Sequence, residues 1–251
     1  MEPITSRQNP LCTHLRRLAA SRSYRRERGE FFCDSPKLLE EALRWGADIR
    51  AVLYTAEAAP PPLPASVRAA LVTAEVMKSV SPMESPQGVV FSCAMRCDAP
   101  PERLTGSRYL VLDGVQDPGN VGTVLRTADA FDCEGLFLLE GCADLYNPKT
   151  VRSAMGVLFR RPVWRCGLET LCALLREGRI PLYGAALRED TADVRALDMK
   201  RCAVAIGNEG HGLSEAVLRR CDRTVRIPMS ERCESLNAAA AAAVLLWEMF
   251  R

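Results

Sequence analysis

Histidine is nearly missing from this 251-residue chain: His14 and His211 are the only two. There is no CxxC pair, and the closest cysteines, Cys93 and Cys97, have three residues between them. A zinc site is therefore not expected, and no metal is assigned. The eleven cysteines are scattered through a long chain rather than packed into a short one, which points to reduced thiols and not to a disulfide framework. No apolar run reaches the ~18–20 residues of a membrane span. The longest, Ala238 to Phe250, is interrupted by Glu248 and reads as a buried helix. The first ten residues lack a charged-then-apolar leader pattern, so a cytoplasmic location is expected. Neither the phosphate loop nor the dinucleotide fingerprint occurs, which argues against a dinucleotide oxidoreductase.

What is present is an ordinary globular composition, 48% hydrophobic and 25% charged, long enough for one large or two modest domains. The net charge is only +2, yet it is uneven. Residues 1–30 carry seven arginines (Arg7, Arg16, Arg17, Arg22, Arg25, Arg26, Arg28) against Glu2, Glu27 and Glu30, a local +4 that leaves −2 for the rest. Such a segment suits phosphate contacts, and Arg7, Arg16, Arg17, Arg25 and Arg26 are the candidate RNA-binding residues; a solvated helix face is the competing reading. Asp98 to Ser107, with two prolines and a glycine, reads as a linker between a domain at 1–97 and another at 108–251. In the first, Ser35 to Gly46 has the cap, first-turn proline and terminal glycine of a helix, and Ile49–Tyr54 and Gly88–Met95 read as strands. In the second, Tyr109–Leu112, Gly135–Leu139, Ile180–Tyr183, Cys202–Ile206 and Thr224–Ile227 are short apolar runs. They alternate with helical patterns near 121–131, 168–177, 214–220 and 236–250. The expected class is α/β with a mostly parallel sheet, whose ligands sit at the carboxyl ends of the strands.

Three segments at those ends hold the unusual residues. From Leu112 to Phe131 a strand runs into a glycine-containing turn and a helix opening near Asn120, on which Arg126 is a lone cation. Arg126 reads either as a functional group or as half of an ion pair with Asp129. From Val204 to Ser214, three glycines within six residues (Gly207, Gly210, Gly212) mark a tight loop in which backbone meets ligand, with Glu209 inside it. From Ile227 to Trp247 a helix begins near Ser235 or Leu236 and runs through alanines. Ser235 as a helix cap is the plain reading there, and it leaves Asn237 unexplained.

In this order and at this spacing, the three segments resemble the signature motifs of the SpoU (TrmH-like) RNA ribose 2′-O-methyltransferases of the SPOUT superfamily. Asn147 to Gly156 is similar to a further family segment. The Pro36-Lys37-Leu38-Leu39-Glu40-Glu41-Ala42-Leu43 pattern and Gln87-Gly88-Val89-Val90 resemble the family's ribosomal-protein-like substrate-binding domain. The resemblance implies a small N-terminal α/β RNA-binding domain and a C-terminal α/β-knot domain with a deep trefoil knot. It also implies a homodimer with the active site at the interface. It places catalytic roles on Asn120, Arg126, Glu209, Ser235 and Asn237. It assigns S-adenosylmethionine contacts to Ala185, Ala186, Leu187, Gly207, Asn208, Ile227, Met229 and Leu236. The family commonly has glycine where this chain has Glu231. The implied reaction is methylation of a ribose 2′-hydroxyl in structured RNA, ribosomal RNA before transfer RNA. A base-methylating SPOUT enzyme and an RNA-binding protein without catalysis are the rival readings; the latter should lack Asn120, Arg126 or Asn237, and none is lacking.

Overall fold

The computed structural model describes residues 2–188, 191–230, 232–233 and 235–251. Glu231, the position singled out above, lies outside these. The chain forms two compact units, Met1–Arg96 with Asp144–Arg160, and Cys97–Ala143 with Arg161–Arg251.

The first unit opens with two helices that the composition alone left unassigned, α1 (Pro10–Ala20) and α2 (Arg22–Arg28). The Asn9 side chain accepts from the Leu11 N–H and Pro10 takes the first position, so α1 starts where its orphan donors are satisfied. Ser21 ends α1 and its hydroxyl caps α2 at the Tyr24 N–H; Gly29, at φ 61°, closes α2 in the left-handed region. Leu11, Leu15 and Leu18 fall on one face of α1 and are buried. After β1 (Glu30–Asp34), α3 (Pro36–Arg44) is capped by Ser35 and runs close to the expected span. β2 (Ile49–Tyr54), β3 (Arg68–Leu71), α4 (Ala74–Val80) and β4 (Val89–Ala94) follow, giving a four-stranded sheet in the order β1-β4-β2-β3. β3 was not foreseen, because Arg68-Ala-Ala-Leu71 is only half-buried and lacks β-branched residues.

In the second unit β5 (Arg108–Leu112) leads into α5 (Pro118–Ala130), then β6 (Gly135–Leu138). The chain next returns to the first unit, where α6 (Pro148–Ser153) is capped by Asn147. Gly156 there carries no Cβ because one would come within 2.8 Å of the Glu41 Cβ. β7 (Val163–Arg165), α7 (Leu168–Glu177), β8 (Leu182–Ala185), β9 (Ala192–Asp193), β10 (Cys202–Ile206), the single turn α8 (Glu215–Leu218), β11 (Arg223–Arg226) and α9 (Ala238–Phe250) complete the second unit. Its seven strands are all paired in parallel, in the order β7-β6-β5-β10-β8-β11-β9. The central strand, β10, is buried at every residue, which is why its sequence is continuously apolar. Tyr109, Val111, Phe137, Ala203 and Ala205 pack with Leu171, Leu174 and Leu175 of α7 in one core cluster.

Parallel pairing decides where the site must be. Leu112 lies opposite Ile206, Ala205 opposite Gly184, and Ala185 opposite Val225. The loops that leave β5, β10, β8 and β11 therefore emerge together at one edge, although they are far apart in sequence.

Candidate active site

The edge of the sheet is first fixed by its backbone. The Asp113 N–H donates to the Ile206 carbonyl, and the Asp113 carboxylate accepts from the Ser214 N–H at 2.7 Å. The Asn208 side chain donates to the Gly114 carbonyl at 2.8 Å and accepts from the N–H groups of Gly210 and His211. Gly207 is glycine for a different reason from the one its sequence suggests. A Cβ there would lie 2.1 Å from the Gly212 carbonyl carbon, so the loop closes on itself and the space is taken by its own backbone.

Asp117 caps α5 through the Asn120 N–H at 2.9 Å, with Pro118 in the first turn. The helix thus opens at Pro118 and not at Asn120, and the Asp-Pro pair was the available signal. Glu209 reaches this helix start. One carboxylate oxygen accepts from the Gln116 N–H at 3.1 Å. The other accepts from the Asp117 N–H at 3.2 Å and the Asn120 side-chain amide at 2.9 Å. Burial by itself pushes the Glu209 pKa up; the hydrogen bonds from Asn120 and the backbone N–H groups outweigh it and hold the carboxyl below its ordinary 4.5.

Asn120 then passes the connection on. Its amide oxygen accepts from the Asn237 side-chain nitrogen at 3.1 Å. The Asn237 oxygen in turn accepts from the Ala239 and Ala240 N–H groups, at 2.9 and 3.3 Å. Asn237, not Ser235, is the cap of α9, which corrects the plain reading of Ser235 and explains the residue that reading left over. The polarity of this relay is forced. Backbone N–H groups at one end only donate and a carboxylate at the other only accepts, so each amide between them has one workable orientation.

Beside the relay, at the carboxyl ends of β8 and β11, lies a cleft of about 130 Å³. Ala185, Ala186, Leu187, Ile227, Met229, Ser235 and Leu236 line it. Val225, Arg226, Ala241 and Leu245 line it as well and were not singled out in the sequence; Ala241 gives the alanine run a purpose as a low wall. Gly207 and Asn208 are not among the lining residues. The remaining candidate, Arg126, stands exposed on α5. Among the described residues no hydrogen bond or ion pair engages its guanidinium, and Asp129, its proposed partner, instead pairs with Arg161 at 2.6 Å.

Of the N-terminal arginines, Arg25 is misplaced for RNA. It is 3% exposed, and its guanidinium is committed to the Leu18 carbonyl and to Asp144, each at 2.7 Å. Arg16 is half-buried and donates to the Ser79 and Arg7 carbonyls, and Arg7 pairs with Glu75. Arg17, 3.8 Å from the Tyr24 ring centroid, and Arg26 are exposed.

A parallel α/β sheet with an apolar cleft and a polar relay at its carboxyl edge, carried in one chain with a separate four-stranded unit, defines a two-unit α/β protein with a small-molecule site. The chain belongs to the SpoU rRNA methylase family, whose model matches residues 107–247; residues 9–90 match the MRM3-like substrate binding domain. It is 32% identical to the 23S rRNA (guanosine(2553)-2′-O)-methyltransferase RlmP of Bacillus subtilis, over 99% of both chains. It is 33% identical to the 23S rRNA (uridine(2479)-2′-O)-methyltransferase of Streptomyces viridochromogenes, over 99% of this chain and 91% of that one. An AdoMet-bound rRNA methyltransferase from Sinorhizobium meliloti superposes with a TM-score of 0.86 at 29% identity, covering 99% of this chain and 97% of the other.

Proposed function

We propose that this chain methylates the 2′-hydroxyl of a ribose in large-subunit ribosomal RNA, with S-adenosylmethionine as methyl donor. The observation that carries the reading is the Glu209–Asn120–Asn237 relay set beside an apolar cleft, in a member of the SpoU family. Two relatives of comparable identity are named for 2′-O-methylation of a guanosine and of a uridine in 23S rRNA, so the family resemblance supports the sugar and the RNA and leaves the nucleotide open.

The cleft suits an adenosyl group: its walls are alanine, leucine, isoleucine and methionine, and it sits where parallel sheets bind ligands. Ala185, Ala186, Leu187, Ile227, Met229 and Leu236 would hold the donor, with Ser235 at the polar side. When bound, adenosylmethionine supplies a methyl on an already cationic sulfur, so the leaving group needs no help. The protein's own task is to hold the sugar oxygen in line, which alone lowers a barrier by up to roughly 7–11 kcal/mol. Asn120, Ser235 and Asn237 orient the ribose. Glu209 is a poor base, because its carboxylate is saturated with donors and its pKa is lowered; its part is to fix the loop.

Arg126, contributed by a partner subunit, grips the target's phosphate and stabilises charge developing on the oxygen. The hydroxyl proton is lost to water. The dimer itself is supported by an exposed apolar stripe on α9: Val244, Trp247 and Phe250 are 37, 51 and 48% exposed, and Phe131 lies against the two aromatic rings. A trefoil knot in the C-terminal chain and a cytoplasmic location complete the reading. Among the described residues no helix is long and apolar enough to cross a membrane.

Mapping 2′-O-methyl groups in total RNA with and without the gene tests the assignment, and a map without a missing ribose methyl in 23S rRNA refutes it. Single-turnover rates of Arg126→Lys and Arg126→Ala test the arginine: if both equal wild type, it has no catalytic part.

A further inference from the structure

The first unit carries a second cavity, of about 360 Å³, far from the relay in sequence. That volume lies within the roughly 300–1,000 Å³ of typical ligand pockets. Its floor includes the buried rings of Phe31 and Phe159, stacked with centroids 6.1 Å apart. Its rim includes Trp45, Asp48 and Arg96. Trp45 follows the last turn of α3 and is 50% exposed.

A single exposed aromatic on a surface needs no explanation. Trp45 differs because its ring borders a cavity and has a guanidinium beside it. The Arg160 guanidinium lies 5.5 Å from the Trp45 centroid and is held there by Glu41 at 2.9 Å. Arg44 lies 3.7 Å from the same glutamate, and Asp48 is neutralised by Arg50 at 2.6 Å. Arg96 is exposed, and among the described residues no hydrogen bond or ion pair engages its guanidinium. An aromatic face, an aromatic floor and a surplus of arginine make a poor site for a protein helix or an acidic metabolite alone. They match a flat, π-faced group attached to a phosphate.

We infer that this cavity receives one unpaired nucleobase of the substrate RNA, stacked on Trp45, with Arg96 on the adjoining phosphate. The inference rests on the RNA-methylating reading above and adds a specificity-determining contact to it. An unpaired base held by the first unit would let the enzyme select its RNA by an exposed base, without reading the base it methylates.

The test compares wild type, Trp45→Ala and Trp45→Phe on a 23S rRNA transcript. Trp45 is half exposed, and Trp45→Phe, which keeps a ring at the cavity, is the control for packing lost in Trp45→Ala. Stacking predicts that Trp45→Ala raises KM for RNA about tenfold, leaves kcat and adenosylmethionine affinity unchanged, and is largely rescued by Trp45→Phe. It also predicts that RNA quenches tryptophan emission in wild type more than in Trp45→Phe. A blunt duplex of two strands, with every base paired, should not compete for that quench. Equal KM values for all three proteins, or equal losses for alanine and phenylalanine, would overturn the inference while methyl transfer by wild type kept the enzyme reading intact. A Trp45 quench without any methyl transfer would do the reverse.

Discussion

Asn237 performs two tasks with one side chain, and a one-atom change separates them. In Asn237→Asp the oxygen that accepts from the Ala239 and Ala240 N–H groups is retained, so the cap of α9 survives. Aspartate is as good a cap as asparagine, and its charge at a helix N-terminus stabilises by about 0.3–1 kcal/mol. The other end of the side chain is what changes. The nitrogen that donates to the Asn120 oxygen at 3.1 Å becomes a second oxygen, and two acceptors then face one another. Asn120 has no escape by turning its amide over, because its nitrogen is held by Glu209 at 2.9 Å and the turned oxygen would meet a carboxylate. The relay must open.

Opening it moves Asn120 or Asn237 by something near the size of a hydrogen-bond mismatch. A misplacement of about 1 Å at a reacting group costs about a hundredfold in rate. The expected result is a fall in single-turnover methylation of about a hundredfold, with thermal stability equal to or above wild type. Asn237→Ser should keep the cap and lose the relay without repulsion, giving a smaller loss. Asn237→Ala should lose both and also about 1 kcal/mol of stability. Rates within threefold of wild type for Asn237→Asp, at unchanged melting temperature, would refute the claim that the relay positions the ribose.

Glu209→Gln should lower activity less than Glu209→Ala, since a glutamine oxygen can still accept from Asp117 and Asn120 while its nitrogen opposes the Gln116 N–H; equal losses would sink this geometry. The Glu209 carboxyl titrates below its ordinary 4.5, so its contribution is fully present above that pH and is lost as pH falls through the lowered folded value; the loop should keep its form at pH 4.5, checked by amide chemical shifts of Gln116 and Asp117. Arg25→Ala leaves Asp144 without its 2.7 Å partner and should cost about 3 kcal/mol in denaturant titrations. Arg26→Ala should leave stability alone and reduce the salt slope of RNA binding by about 1. If the proposed dimer closes over α9, Trp247→Glu should sediment as a monomer and lose transfer, where wild type sediments as a dimer.

The second unit was legible because its strands are buried on both faces. Cys202–Ile206 reads as a strand from its unbroken apolar run and is one, to the residue, and α7 likewise spans Leu168–Glu177 as its pattern suggests. β7 and β9 were missed because three and two residues carry no periodicity. α1 and α2 were passed over for a related reason. Arginines dominate that stretch, and the Asn9-Pro10 and Ser21 caps that start the two helices are single residues among them. Charge also misled at Arg25, where a count of arginines cannot tell a phosphate ligand from a cation buried against a helix end and an aspartate.

The candidate site was legible in its parts and illegible in its joints. Asn120, Glu209 and Asn237 stand out individually, each a polar residue in a glycine- or alanine-rich setting at a strand end. What no spacing could give is that they form one chain of hydrogen bonds, because 89 and 117 residues separate the bonded pairs. Only the parallel register, which sets Leu112 beside Ile206, brings the loop of Glu209 over the start of α5. The period of α5 explains why Arg126 remains outside the relay. A helix that offers Asn120 to its own loop edge presents Arg126, six residues on, in another direction, since 3.6 residues make a turn. Within one subunit the arginine therefore lies outside the relay, which is why the catalytic part proposed for it is placed on the Arg126 of a second copy of the chain.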